Sequence, residues 1–563
     1  MNNKFIYIFC ILVFAIKFAF PQESYDKKFL DSLYNEYVQV KSGFKTEGLD
    51  LPITLKDERH KCGFFVINLV KQNFDLFSPE QQQVISSITG RPSVPFNIVS
   101  PSGKFRIHYD TASAERPKYI PTLAISENLA LIASAIDSVY NFEVNFLGYP
   151  PPPADFGLGG DDKYDIYIVN LGGGLYGYTE SETSLGNQRY TSFMVIDNDY
   201  AGYYSSGVNG ARVTLAHEFH HGIQMGNYIL KFEDTFFYEI TSTSMEEFVF
   251  DDVNDYYAYM PSYFNNPQRA FAENDGYNLA VWNIYLREIF GFEIIKRQWQ
   301  LMPNQRAMNA ISISLNELNS SFKHELHQFG IWTHYTKHRA VQGRFFKEAS
   351  KYPLIKPLST IIFTSPEKTV SINSKATANN FIRFVNQQNG KNDSLYVLIT
   401  NGDVNGALNN INQLYSFNYS LFDTAVSGTI QIYPNYFSKF STESPFLWAI
   451  TEILDTSYNT IDLQRKTSYP YPMPYSYKKY SENTPIKIPV SSENSTTVGL
   501  YVYNASMELI YSNGEMPRSI TNKNEINWKV RSSDGKKLAS GVYIYVIKDG
   551  DEVQKGKLVI LHE

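Results

Sequence analysis

The chain has 563 residues, which at ordinary domain sizes corresponds to about three or four domains. It is 43% apolar and 19% charged, which excludes long disorder, and its net charge of −7 without a basic block argues against a nucleic-acid partner. Tyr (42) and Phe (39) are abundant, as expected of β-rich extracellular proteins with aromatic strands.

Residues 1–20 read as a secretory signal. Lys4 supplies the positive start, residues 5–16 form a short apolar run, and small or polar residues follow near Ala19 and Gln22. The run is too short to span a bilayer, and Cys10 within it lacks a preceding lipobox, so cleavage is expected and lipidation is not. No later stretch reaches about 18 apolar residues, so the mature protein should have no membrane span. After cleavage only Cys62 remains, which leaves no intrachain disulfide.

Residues 21–100 are expected to be a propeptide or an N-terminal helical segment. Their notable feature is His60-Lys61-Cys62-Gly63. A lone thiolate ahead of a metal domain can fill an open zinc position and keep an enzyme latent. Matrix metalloproteinases use a Cys-Gly of this kind, but the rest of their switch motif is missing here. The plainer reading of Cys62 as a small buried apolar residue is the favoured one.

From Ser100 the pattern becomes that of a mixed domain. Phe105–Tyr109 alternates as a strand, and 125–146 has the 3.6 period of a helix. A Pro151-Pro152-Pro153 loop follows, then a strand at 164–170 ending in Gly172-Gly173-Gly174, and a third at 190–196. The last strand is expected to be a sheet edge to which a peptide could add as one more strand.

The next stretch, 213–224, organises the chain because it contains H-E-x-x-H. His217 and His221 are four residues apart and share one helical face, where both can ligate a metal. Glu218 lies beside them, placed to take a proton from a metal-activated water. His220 faces away and is expected to pack or lie at the surface. A metzincin would need Gly at 224 and His at 227, whereas this chain has Gln224 and Asn227. A gluzincin takes its third ligand from a second helix, and Glu239 stands eighteen residues past His221. Glu246, at i+7, shares the Glu239 face and is expected to support the site or to be the alternative ligand. Glu233 and Asp234 remain outside candidates.

Four segments together resemble a secreted bacterial family of gluzincin metallopeptidases: Tyr164-Asp-Ile-Tyr167, residues 216–224, Glu239 with Glu246-Glu247, and residues 276–291. The resemblance covers roughly 100–350. Members often carry Asn-Glu or Glu-Gly around the third ligand, and Tyr238-Glu239-Ile240 departs from that. The resemblance implies a zinc-dependent endopeptidase with zinc on His217, His221 and Glu239, water in the fourth position and Glu218 as general base. Gluzincins usually add a Tyr or His that steadies the oxyanion, for which Tyr277, His327 and His334 are candidates.

Beyond Pro353 short alternating runs broken by Asn, Gly and Ser argue a β-sandwich over 353–466, more spacer than binding module. Residues 467–474 form a Pro-rich linker. The Tyr-Pro start, the Asp534-Gly535 turn and the Ala539-Ser-Gly-Val-Tyr543 strand resemble the type A C-terminal sorting domain of type IX secretion, related in pattern to the flagellar hook-assembly Ig-like domain. That resemblance implies export across a Gram-negative outer membrane, then release or surface attachment.

The expected architecture is therefore multidomain α+β: signal peptide 1–20, N-terminal segment 21–100, zincin-like domain 101–352 (a mixed sheet plus the active-site helix), β-sandwich 353–466 and Ig-like sorting domain 467–563. The expected function is a secreted, monomeric zinc endopeptidase acting on protein or peptide substrates and exported by the type IX machinery. The competing reading is a surface adhesin or glycan-binding protein with a structural or inactive zinc site.

Overall fold

A computed structural model describes residues 26–42, 61–112, 114–172, 175–363, 367–386, 393–409, 414–424, 429–437, 446–453, 470, 472–480, 484–490, 495–519 and 525–562. The expected signal peptide lies outside these residues, as does much of the expected linker.

Three helices come first, α1 (Lys27–Ser42), α2 (Phe64–Gln72) and α3 (Pro79–Ile88). The start of α3 is fixed by Pro79 at its first position and by a reciprocal cap, in which Ser78 accepts from the Gln81 amide and Gln81 accepts from the Ser78 amide. Strands β1 (Phe96–Val99) and β2 (Phe105–Tyr109), helix α4 (Ile125–Tyr140), and strands β3 (Tyr164–Val169), β4 (Gly177–Gly186) and β5 (Arg189–Asp197) follow. They form a sheet in the order β1-β2-β3-β5-β4. β2, β3 and β5 run parallel, while β1 and β4 are antiparallel to their neighbours.

The two faces of this sheet are both buried, and strand alternation sorts the side chains between them. Met194 and Ile196 join Ile107, Ile166 and Ile168 against α4 and the next helix, α5 (Gly207–Ile223). Phe193 and Val195 join Tyr167 and Tyr178 against Leu33, Tyr37, Val66, Ile67 and Val70 of the N-terminal helices. Helices α1, α2 and α3 thus form a second wall of the sheet's core.

One expectation requires correction. The strand just before α5 is β5, and it is interior; the edge beside α5 is β4. No element is expected from the sequence at β4, whose Thr179, Glu180 and Ser181 are polar, yet all three are buried. They are satisfied from outside the strand: Lys41 and Lys71 pair with Glu180, and the Ser181 amide donates to Asn68.

After α5 come α6 (Thr235–Val249), α7 (Met260–Asn265), α8 (Ala280–Phe290), α9 (Glu293–Leu301), α10 (Ala307–Glu317) and α11 (Phe322–His334). They share the core of α4 and α5, with Trp282 and Trp299 fully buried among them. Strands β6 (Ser359–Phe363), β7 (Glu367–Lys375), β8 (Ala378–Asn386), β9 (Asp393–Asn401), β10 (Leu414–Thr424), β11 (Thr429–Phe437) and β12 (Phe446–Ile453) make two sheets, β11-β10-β7 and β12-β9-β8-β6. β13 (Tyr475–Ser476), β14 (Ile486–Pro489), β15 (Thr497–Tyr503), β16 (Leu509–Pro517), β17 (Glu525–Trp528), β18 (Gly541–Asp549) and β19 (Glu552–Leu561) make the sheets β13-β19-β18-β15-β16 and β14-β17 around Trp528, Leu500, Val502, Ile547 and Leu558. The molecule is thus mixed helix and sheet with several sheet units. Among the described residues no helix is long and apolar enough to cross a membrane.

Candidate metal centre

Helix α5 is buried along almost its whole length, so its histidines face packed neighbours on every side. At the Cα level α5 lies against α6, which brings Glu239 and Glu246, two turns apart on one face, onto His217 and His221. The outer ring nitrogens of both histidines are held. His217 Nδ1 lies 2.8 Å from Glu246 Oε1. His221 Nδ1 lies 2.7 Å from Gln224 Oε1 and 3.1 Å from Ser242 Oγ. Gln224 sits at the start of a wide turn, Gln224–Tyr228, that ends α5, and its Nε2 donates to the Tyr238 carbonyl. A carbonyl can only accept, so the amide is oriented with its oxygen toward His221, whose Nδ1 must donate. Each imidazole therefore turns its Nε2 inward, as oriented metal ligands do.

Those inward atoms converge. His217 Nε2 and His221 Nε2 are 3.1 Å apart, and Glu239 places Oε2 3.1 Å from the first and Oε1 3.5 Å from the second. Four ligands at tetrahedral zinc distances would stand about 3.3 Å apart. Neither Glu239 oxygen makes a hydrogen bond among the described residues, although the side chain is buried. A buried carboxylate is costly unless a protonated imidazole or a metal cation meets it. Burial alone would raise Glu239, but His221 and His217 hold it down to about 2. Burial would likewise lower His217, but Glu239 and Glu246 lift it to about 10. The residues fit a metal ion, which would take the place of the proton that the two carboxylates favour on His217: two imidazole nitrogens and a carboxylate stand around one point.

A fourth donor is present. Cys62 Sγ, His217, His221 and Glu239 each offer a ligand atom within 4.8 Å of the others, and all four are buried. Cys62 is buried, as the plainer sequence reading expects, but beside the candidate ligands His217, His221 and Glu239 rather than among apolar groups alone. Burial, with the charges of Glu218 and Glu239, pushes its thiol up; a bound cation would invert that balance. The segment is seated by backbone and side chain. Tyr176 N donates to Lys61 O at 2.8 Å, Gly63 N donates to Gly177 O at 3.0 Å, and Cys62 bridges Gly177 in parallel. Phe64 stacks on the His221 ring with centroids 4.0 Å apart. Lys61 places Nζ 2.5 Å from both Glu246 Oε2 and Asp255 Oδ2.

Glu218 accepts from Thr179 Oγ1 of β4 at 2.8 Å, which ties the candidate base to the edge strand. Tyr277 stacks beside His217 with centroids 5.9 Å apart. Burial first, then the charge of Glu239, keeps its phenol protonated. Gly276 lets this loop approach α6: its φ is +100°, and a Cβ there would stand 2.3 Å from Phe236 O and 2.5 Å from Glu239 Cβ.

The other candidates lie elsewhere. His220 Nδ1 bonds Glu143 Oε2 at 2.8 Å on the far side of α5. His327 Nδ1 meets Thr400 Oγ1, and the His334 ring lies against Tyr396, so both face β9. Asp234 pairs with Arg306, and the Glu233 carbonyl accepts from the same arginine. Sequence reading missed Thr179, Gln224, Asp255 and the role of Lys61. Gln224 had a signal, since i+3 from His221 puts it in reach of that ring; Asp255 had none.

No protein-family model matches the chain, and no curated protein matches it. Among solved structures, part of it is similar to PorZ of Porphyromonas gingivalis, described as an essential bacterial surface component of the type IX secretion system. The identity is 18% over 18% of this chain and 13% of that one, with a TM-score of 0.14. Dimeric latent PorU from the same organism is similar at 10% identity over 35% of this chain and 20% of that one, with a TM-score of 0.15. The chain spans a fifth or less of either, and likeness of this degree assigns neither fold nor activity.

Proposed function

We propose that this protein is a zinc-dependent endopeptidase of zincin type, held latent by Cys62. The observation that carries the reading is the convergence of His217, His221, Glu239 and Cys62 on one point, with Glu218 on the same helix. A donor set of two imidazoles, a carboxylate and a thiolate suits zinc. Zinc so held supplies Lewis acidity toward a peptide carbonyl and lowers the pKa of a water in an open position. Glu218, anchored by Thr179, accepts the proton of the attacking water and returns it to the leaving amine. Tyr277 is the donor best placed for the developing oxyanion, since it stacks on His217 while His327 and His334 face β9. The outer edge of β4, covered in this chain by residues 61–68, is where a peptide substrate would add as a strand once they leave. Secretion through a signal peptide and the type IX machinery, with release or surface attachment, completes the reading; it rests on the N-terminal run and the 467–563 pattern.

The second reading, a binding protein with a structural zinc site, is favoured by one observation: four protein donors close the site, as structural sites are closed. The discriminating experiment compares full-length wild type, Cys62→Ala and Cys62→Ala/Glu218→Gln for zinc content and casein cleavage. The peptidase reading expects zinc in all three and cleavage by Cys62→Ala, reduced by at least about 100-fold in the double variant. Zinc in all three with no cleavage in any supports the binding protein instead.

A further inference from the structure

The cavity that holds Lys61 is built for a basic side chain but filled by the chain itself. Lys61 is only 2% exposed, and its Nζ meets two carboxylates, Glu246 and Asp255, at 2.5 Å each. Two aromatic rings complete the enclosure, with Nζ 4.7 Å from the centroid of Tyr176 and 5.5 Å from that of Tyr259. The carboxylates are themselves fixed. Asp255 Oδ1 accepts from Tyr176 OH at 2.9 Å and from the Ser205 amide, and Glu246 Oε1 is bound to His217. All of these groups except Lys61 belong to the wall behind β4, α5 and α6, and they remain when residues 61–64 leave. An emptied cavity would keep two buried carboxylate oxygens, Glu246 Oε2 and Asp255 Oδ2, without the ammonium that now meets them, which is unfavourable unless another cation enters.

Its place follows from the backbone. Cys62 is the residue at the metal ligands, Lys61 is its chain neighbour, and both lie in register with Tyr176 and Gly177 at the start of the edge strand. A peptide added to that edge with one residue at the metal puts its next side chain where Lys61 now sits. We propose that this cavity is a substrate subsite, selecting peptides with a lysine or arginine immediately beside the bond that is cleaved, and that Lys61 occupies it in the latent chain as a substrate side chain would. The proposal rests on the peptidase reading above. It goes beyond it in naming the substrate class and the residues, Asp255 and Glu246, that select it.

Two measurements on full-length protein test it. The first needs no activity: Lys61→Ala is melted with and without n-butylammonium, using sodium at equal ionic strength as control. Emptying the cavity should lower Tm, n-butylammonium should restore part of the loss, and Asp255→Asn in the same chain should abolish the rescue. A Tm indifferent to the amine overturns the cavity's selectivity for alkyl cations. The second maps the bonds cut by Cys62→Ala in a Lys- and Arg-containing peptide mixture. Lys or Arg should be enriched at one fixed position beside the cut, with the preference falling by about 100-fold in Cys62→Ala/Asp255→Asn. Cleavage with no basic preference overturns the subsite while leaving the peptidase reading standing. No cleavage by either chain, together with amine rescue in the melt, overturns the peptidase reading and the substrate role with it.

Discussion

Helix α5 carries two buried histidine–carboxylate pairs on opposite faces, and only one of them belongs to the candidate metal group. His217 Nδ1 to Glu246 and His220 Nδ1 to Glu143 are each 2.8 Å long, and all four side chains are essentially without exposure. On the first face a second carboxylate and a second imidazole crowd the inner nitrogen, and His217 is raised to about 10 by Glu239 and Glu246 against burial. On the second face the inner nitrogen has no hydrogen-bond partner among the described residues. There burial dominates: it pushes Glu143 up and, with the charges of His221 and His217, pushes His220 down. The result is a neutral pair that packs. A carboxylate behind an imidazole does not make a metal ligand; a third donor in front of it does.

The comparison breaks most sharply at Glu239. Glu239→Ala should reduce zinc from about one per chain to under about a tenth at micromolar zinc, measured by elemental analysis, whereas His220→Ala should keep it. Loss of zinc in both would erase the distinction between the faces. Glu246→Gln sharpens it, because the ligand stays while its orienting charge goes. Zinc affinity should fall about 10–100-fold in a competitive chelator titration. Gly276→Ala puts a Cβ into Phe236 O and Glu239 Cβ and strains a φ of +100°. It should cost about 1–3 kcal/mol in urea unfolding and weaken zinc binding.

The packing face is tested by a pH dependence. The folded chain retains the Glu143 proton, while the unfolded chain releases it above the ordinary value of 4.5. Wild type therefore loses stability from this group as pH rises above that point. Glu143→Gln cannot lose it, so the stability gap in its favour should widen by up to about 1.4 kcal/mol per pH unit above 4.5. His220 is shared by both chains and does not alter the sign. Parallel unfolding curves at pH 5 and 8 would show that Glu143 is ionised in the fold.

The legible part of the site was the part written in one helix. The four-residue step from His217 to His221 and the seven-residue step from Glu239 to Glu246 are periodicities, so sequence alone put each pair on a face. Contacts between distant segments left no such mark. Cys62 read more readily as a small buried apolar residue, because nothing near it in the sequence shows that it will meet His217. Lys61 and Asp255 are ordinary surface residues by type, and only the fold buries them together. β4 escaped because its buried Glu180 is met by Lys41 and Lys71 and its backbone by Asn68, all from the N-terminal helices. The flanking strands and C-terminal runs were legible for the opposite reason: their alternation is apolar and local.

X-ray absorption at the zinc edge of the full-length protein tests the account most directly. The account predicts one sulfur at about 2.3 Å with three nitrogen or oxygen neighbours at about 2.0–2.1 Å, and loss of the sulfur alone in Cys62→Ala. A first shell of nitrogen and oxygen only in the wild-type chain would contradict the thiolate-closed site and the latency built on it.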